Sequence, residues 1–303
     1  MVQKVDPLNV KALDNVTENV SRFDVSRAKL SPSEFRHFAD LIYHHAGIRI
    51  SPDKRTMLES RLNKRLFALK IHSFKQYADY LKADMSGREL TEFTNAITTN
   101  KTEFFREAYH FEVLKKDIAA RHRSDSVFIW SAACASGEEP YSIAMICDEL
   151  QQELPGFEGK VLATDIDTQR LAMCESGRYE KERASEIPIQ FRHQYVTFSD
   201  NPNDDTFEMA DVLRRQIKFR QHNLIHFSDK FGIQFHYIFL RNVLFYFPSA
   251  TGEKVVRSLL SQLQPGGLIF VGLTETLNNM ELGIEQVGTS VYKKVAAKGY
   301  GDG

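Results

Sequence analysis

The chain has 303 residues, with 39 Lys plus Arg against 40 Asp plus Glu and a net charge of −1. Its length favours two domains with a sizeable core, and 42% hydrophobic with 26% charged residues excludes global disorder. A near-zero charge, if evenly spread, excludes a basic coat for nucleic acid. Three cysteines without CxxC spacing (Cys134, Cys147, Cys174) argue against a disulfide framework or a zinc site and fit a reducing, cytoplasmic setting.

Residues 1–28 are polar and aperiodic, which predicts a flexible N-terminal extension and not a signal peptide. The tail 299–303 reads as frayed. No apolar run approaches the ~18 residues of a membrane span, so no membrane insertion is expected.

Residues 29–100 predict a small all-α domain. Ser31-Pro32-Ser33-Glu34 is a capping box, followed by Phe35, Phe38, Ala39 and Ile42 at helical spacing, and Gly47 ends that helix. Ser51-Pro52 opens a second helix with Leu58, Leu62, Leu66 and Leu69 on one face. Ser73 with Gln76 caps a third, carrying Phe74, Tyr77, Ala78 and Leu81. Ser86 with Glu89 is expected to start a fourth, carrying Leu90, Phe93 and Ile97. The second helix is basic: Lys54, Arg55, Arg61, Lys64, Arg65 and Lys70 face a lone acid, Glu59. That run is either a solvated face or a docking face for an acidic partner. No aromatic residue interleaves with the cations, which disfavours a single-strand nucleic-acid platform. Residues 28–100 carry 12 basic and 8 acidic side chains, so the near-neutral total averages over unlike parts.

From about residue 125 the pattern becomes α/β. Val127–Trp130 reads as a buried strand. The small-residue stretch from Ser131 to Pro140 follows, then an amphipathic helix with Ile143, Ala144, Ile146, Cys147 and Leu150. Val161–Thr164 forms the next strand and ends in Asp165-Ile166-Asp167. This is a Rossmann-like opening. Small residues admit a nucleotide close to the backbone, and the strand-end acid can accept hydrogen bonds from both ribose hydroxyls. There is no GxGxxG, and Glu138-Glu139 at the helix head would repel a pyrophosphate. A phosphate-free, cationic ligand fits better, and S-adenosylmethionine has that chemistry. NAD or a loop that binds nothing are the alternatives.

Ser199–Asp211 is acidic, and the alternation of Ile217 and Phe219 with polar residues marks a half-buried strand. Together they predict a small antiparallel β-subdomain inserted at about 190–222. His236–Leu240 is a further strand, with Arg241, Asn242 and Tyr246 at or beyond its carboxyl end, where open α/β sheets bind ligands. Ser249–Leu263 is helical, Gln264–Gly267 reads as a turn, and Leu268–Gly272 and Ser290–Val295 are the last strands. His44, His45 and His110 lack partners at metal-binding spacing, so no metal site is expected.

Thr98-Thr99-Asn100-Lys101-Thr102-Glu103-Phe104-Phe105-Arg106-Glu107, Trp130–Ala133, Gly137–Ser142, Ala163–Asp167, Arg241–Phe247 and Leu263–Gly267 stand in that order along the chain. From about Leu30 to about Val295 the set resembles the CheR-type chemotaxis receptor methyltransferases. The resemblance implies a helical docking domain before a Rossmann-like methyltransferase domain over 101–303. It also implies methyl transfer from S-adenosylmethionine to glutamate side chains of chemoreceptors. On the matching positions, Asn100, Thr102, Arg106, Glu139, Asp165, Asn223, Leu224, Arg241 and Asn242 are implied to hold the cofactor, with Glu138 an alternative to Glu139. Arg106 and Tyr246 are implied to act on the acceptor. Lys54, Arg55, Arg61, Lys64 and Arg65 become candidates for docking an acidic receptor helix. A monomer is expected, and the absence of glycine in Ser199–Asp211 leans against a receptor-tail tether through the β-subdomain.

Overall fold

A computed structural model describes residues 28–201 and 203–295. The expectations for residues 1–27 and 299–303 lie outside that range. Helix α1 (Pro32–Ala46) begins with the predicted capping box: Ser31 accepts the Glu34 N–H, and Glu34 reaches back to the Ser31 N–H. It ends at Gly47, whose φ of 72° is the left-handed C-cap conformation. A 3-10 turn at Pro52–Lys54 leads into α2 (Arg55–Leu69), and Ser73 caps α3 (Phe74–Ala83). Helix α4 (Arg88–Ile97) departs from expectation. Its entry is held by Asp84, whose carboxylate accepts the Glu89 N–H at 2.7 Å and the Ser86 hydroxyl, and Glu89 turns inward. Phe38, Phe74, Tyr77 and Phe93 fill the bundle core, with Phe38 within 6.2 Å of each of the other three rings.

Helix α5 (Tyr109–Arg121) leads into the α/β domain. Its elements are β1 (Ser126–Ser131), α6 (Glu138–Glu153), β2 (Glu158–Asp165), α7 (Thr168–Ser176), β3 (Arg178–Glu180), α8 (Ile189–Tyr195), β4 (Val196–Phe198), β5 (Thr206–Met209), α9 (Asp211–Gln216), β6 (Ile217–Gln221), β7 (Phe235–Leu240), α10 (Ser249–Gln262), β8 (Leu263–Val271), β9 (Ile284–Gly288) and β10 (Val291–Lys294). The large sheet has the order β6-β2-β1-β7-β8-β10-β9. Its first five strands are parallel, and β10 runs antiparallel to both neighbours. The runs Val127–Trp130 and Tyr237–Leu240 in the central strands are apolar on both faces because both faces are covered. Ile129, Tyr237 and Phe239 join the core on one face, and Trp130, Ile238 and Leu240 join the core on the other.

Two strand predictions need correction. Strand β6 belongs to the large sheet, parallel to β2, with Phe219 opposite Ala163. The small antiparallel sheet, order β3-β5-β4, spans residues 178–209, earlier in the chain than expected. Residues 264–267 are not a turn before a strand; they loop out within β8. The register passes from Phe235 opposite Leu263 to Tyr237 opposite Leu268, and Gly266 takes a φ of 79° at this bulge. Among the described residues no helix is long and apolar enough to cross a membrane.

Candidate active site

The chain winds from β1 through β2 to β6 on one side, then returns to β7 on the other side of β1. Strand order therefore reverses between β1 and β7, and a cleft opens at the carboxyl ends of these strands. It encloses about 1000 Å³ of open space, part of it continuous with solvent. Asn100, Thr102, Arg106, Glu139, Asp165, Asn223, Leu224, Arg241, Asn242 and Tyr246, the site residues expected in this domain, all line it.

The floor follows from small residues. Ala135 (φ 47°) and Gly137 (φ 101°) turn the chain sharply after β1. A Cβ at Gly137 would fall 2.7 Å from the Tyr179 hydroxyl, so only glycine fits there. This turn brings the Ala135 N–H to 2.8 Å from an Asp165 carboxylate oxygen, while the other oxygen accepts the Asp167 N–H. Burial pushes Asp165 up to about 6. Cys134 packs beneath the same turn, and burial pushes its thiol up too, which makes it a packing residue and not a nucleophile.

The two glutamates at the head of α6 diverge. Glu139 faces the cleft, with one oxygen accepting from Ser131 at 2.7 Å and the other from Arg241 Nη1 at 2.9 Å. Glu138, absent from the cleft wall, is fully buried and bonded to Ser136 and Arg183. Desolvation raises both carboxyl groups above the ordinary range.

The segment joining the domains arches over the cleft. Thr98 and Asn100 both donate to one oxygen of Asp167, at 2.6 and 2.7 Å, while the other oxygen caps α7. Farther along, the Thr102 carbonyl accepts from Arg183, the Phe104 N–H donates to Glu186, and the Phe105 ring stacks on Phe191. The Arg106 side chain donates to the Lys101 carbonyl at 3.1 Å, and no described carboxylate pairs with it. Tyr246 donates to the Thr99 carbonyl, and burial raises its hydroxyl. Asn242 adopts a φ of 56°, with its N–H on Glu275. Behind it, the absence of a side chain at Gly272 is required, since a Cβ there would meet Asn242 Nδ2 at 2.4 Å.

The helical domain also borders the cleft. Ala46, Ile48 and Ile97 line it, Asn223 donates to the His45 carbonyl, and the Arg49 N–H donates to the Tyr246 carbonyl. The five basic candidates on α2 and its preceding turn separate into two groups. Arg65 chelates buried Glu89, Arg61 donates to the carbonyls of Ile97 and Thr98, and Arg55 donates to the Leu30 carbonyl. Lys54 and Lys64 are exposed. Arginines are thus used inside the fold, where the charge run left a solvated face or a docking face open and the resemblance made all five residues docking candidates. Glu107, Asp167, Arg183 and Glu275 were not singled out from sequence; of these, Glu107 and Asp167 lie inside quoted motifs.

The donor set matches S-adenosylmethionine. The strand-end carboxylate of Asp165 suits a ribose, a second carboxylate, Glu139, suits an amine, and the first turn of α6 at the cleft carries two acids where a phosphate cradle would need none. Among the described residues no group of three His, Cys, Asp or Glu side chains could hold a metal.

The family model described as "CheR methyltransferase, SAM binding domain" matches residues 100–293, and "CheR methyltransferase, all-alpha domain" matches residues 33–98. Curated relatives include the "Chemotaxis protein methyltransferase" of Salmonella typhimurium, 36% identical over 88% of this chain and 91% of that protein. The namesake proteins of Klebsiella aerogenes (38%) and Escherichia coli K12 (36%) each match 88% of this chain and 91% and 92% of their own lengths. With both of its domains matched and the cleft lying in the S-adenosylmethionine-binding part, the chain belongs to the CheR methyltransferase family and is an S-adenosylmethionine-dependent methyltransferase.

Proposed function

We propose that this enzyme methylates glutamate side chains on chemoreceptors, giving glutamyl methyl esters as part of chemotactic signalling. The names of its relatives support the process. The observation that carries the acceptor chemistry is Arg106, a guanidinium on the cleft wall with no described carboxylate against it. A carboxylate acceptor is already ionised near neutral pH and needs no general base. What it needs is alignment and a cation to hold it, and Arg106 supplies the cation. Tyr246, fixed against Thr99, provides a wall and a polar tip beside it.

Bound S-adenosylmethionine supplies a methyl group activated on a sulfonium. Asp165 would take the ribose hydroxyls and Glu139 the amine, with Asn223 and Leu224 beside the adenine. Asn100, Thr102, Arg241 and Asn242 would complete the enclosure. Exposed Lys54 and Lys64 would steer an acidic receptor helix toward the mouth, while Arg55, Arg61 and Arg65 shape the surface that presents them.

The reading is tested by incubating the enzyme with methyl-labelled S-adenosylmethionine and a receptor cytoplasmic fragment. Label released as methanol by mild base, and lost when the fragment's glutamates become alanine, is the expected result. Base-stable label would overturn it.

A further inference from the structure

The arch over the cleft is held by two different parts of the molecule, and the changeover falls just ahead of Arg106. Thr98 and Asn100 are tied to Asp167, in the turn after β2. Thr102, Phe104 and Phe105 instead find partners among residues 179–207, in the inserted β-subdomain with its turn and helix. Arg183 and Glu186 lie on a 3-10 turn at Lys181–Glu186. Arg183 Nη2 donates to the Thr102 carbonyl at 2.7 Å, and Glu186 accepts the Phe104 N–H at 2.9 Å. The Phe104 ring meets Tyr179 of β3 edge-on at 5.0 Å and lies 6.3 Å from Phe207 of β5. The Phe105 ring stacks on Phe191 of α8, with centroids 5.2 Å apart and planes 6° from parallel. Phe104, Tyr179, Phe191 and Phe207 are all buried.

The backbone shows why such holding is needed. Arg106 stands between two left-handed residues, Phe105 at φ 52° and Glu107 at φ 57°. A non-glycine residue stays in that region only where its surroundings over-determine it, and a bulky aromatic is a rare occupant. On one side, Glu107 is fixed by the Arg241 guanidinium at 3.0 Å and by the Leu273 N–H at 3.3 Å. On the other, the Phe105 N–H donates to Ser142 at 2.9 Å, and its ring packs on Phe111 and Phe191. When a fastening is lost the turn relaxes toward ordinary φ, and the Arg106 side chain swings with it. Methyl transfer depends on alignment and tolerates little such movement.

We propose that the inserted subdomain is a positioning clamp for Arg106: Glu186 and Phe191, acting through Phe104 and Phe105, set the direction in which its guanidinium meets the acceptor carboxylate. The inference rests on the proposed role of Arg106 in holding that carboxylate. It gives the insertion a task inside the enzyme itself. Neither Glu186 nor Phe191 lines the cleft, so both act at one remove. Asp165 and Glu139, the acids assigned to the cofactor, are carried by β2 and α6. The clamp therefore acts on the alignment of bound acceptor and not on the seating of the cofactor.

The test uses the full chain and reads three quantities. These are kcat and KM for methylation of a receptor cytoplasmic fragment, S-adenosylhomocysteine affinity by calorimetry, and amide hydrogen exchange across residues 98–107. In Phe191→Ala, kcat should fall about thirtyfold, with KM and S-adenosylhomocysteine affinity within about threefold of wild type. Glu186 is partly exposed, so Glu186→Ala spares the core, and kcat should fall about tenfold. Glu186→Gln keeps an acceptor for the Phe104 N–H and Phe191→Leu keeps apolar bulk, so each should recover most of kcat. In both alanine variants the amides of residues 103–106 should exchange faster, while those of 98–100 stay as in wild type. Unchanged kcat in both alanine variants would overturn the proposal. So would a loss of cofactor affinity as large as the loss of kcat, or a Glu186→Gln enzyme as slow as Glu186→Ala. Arg106→Ala methylating the fragment as fast as wild type would instead overturn the reading of Arg106 on which the clamp rests.

Discussion

Two buried arginine–glutamate clusters in this molecule do opposite jobs. In the helical domain, Glu89 receives two hydrogen bonds from Arg65 and one from the Tyr77 hydroxyl at 2.8 Å, all sealed from solvent on the glutamate side. Three donors occupy Glu89, and the second carboxylate near Arg65, Glu92 at 3.7 Å, lies toward solvent and not against a cavity. In the cleft, Arg241 is divided between Glu107 and Glu139, and Glu139 borders open space. A closed cluster fixes how helices pack, while a cluster at the edge of a cavity is ready for a ligand.

Breaking one member of each cluster should separate these roles. Glu139→Ala leaves Arg241 paired with Glu107, so the fold should tolerate it. S-adenosylhomocysteine affinity should nevertheless drop about a hundredfold by calorimetry, in keeping with the loss of a buried charge-assisted contact. A large fall in Tm with unchanged binding would reverse the comparison. Glu89→Ala strands Arg65 and the Tyr77 hydroxyl, and chemical denaturation should show a loss of about 3 kcal/mol. Cofactor affinity in that variant should stay within twofold of wild type.

The pH dependence of binding sharpens the contrast. Asp165 titrates near 6 in the folded chain against 3.8 ordinarily, because burial penalises its ionised form. The folded state without ligand therefore holds the proton more tightly than the unfolded state. Ionised Asp165 costs stability above about pH 6, and that cost disappears as pH falls through 6 toward 4. A ribose needs the ionised carboxylate, so S-adenosylhomocysteine affinity should fall roughly tenfold between pH 7 and pH 5. Asp165→Asn should bind more weakly at pH 7 and lose this dependence. The smallest effect belongs to the exposed cations: Lys54→Glu with Lys64→Glu should slow receptor methylation about fivefold and leave cofactor affinity unchanged.

The elements legible in the sequence were those whose signals are local. Capping residues located α1 and α3, apolar runs located β1, β2 and β7, and the acid ending β2 marked one wall of the cleft. Partnerships distant in sequence leave no such trace. Alternation along Ile217–Gln221 reported half-burial but could not say which sheet buries it. A Pro-Gly-Gly run reads as a turn whether it joins two strands or bulges from one. Ser86 with Glu89 reads as a capping box, but α4 starts after Gly87, and Glu89 is turned inward to Arg65, 24 residues away in the chain. Glu107 was visible within a motif, but its pairing with Arg241, 134 residues away, was not.

The seam between the two domains bears on what can be exchanged. Residues 46, 48 and 97 of the bundle form part of the cofactor wall, and two backbone groups, the His45 carbonyl and the Arg49 N–H, are tied to loops at the strand ends. A front end of this kind cannot be exchanged like a cassette. Any replacement must rebuild part of the cleft wall as it changes the surface of the bundle, so the two domains are inherited together.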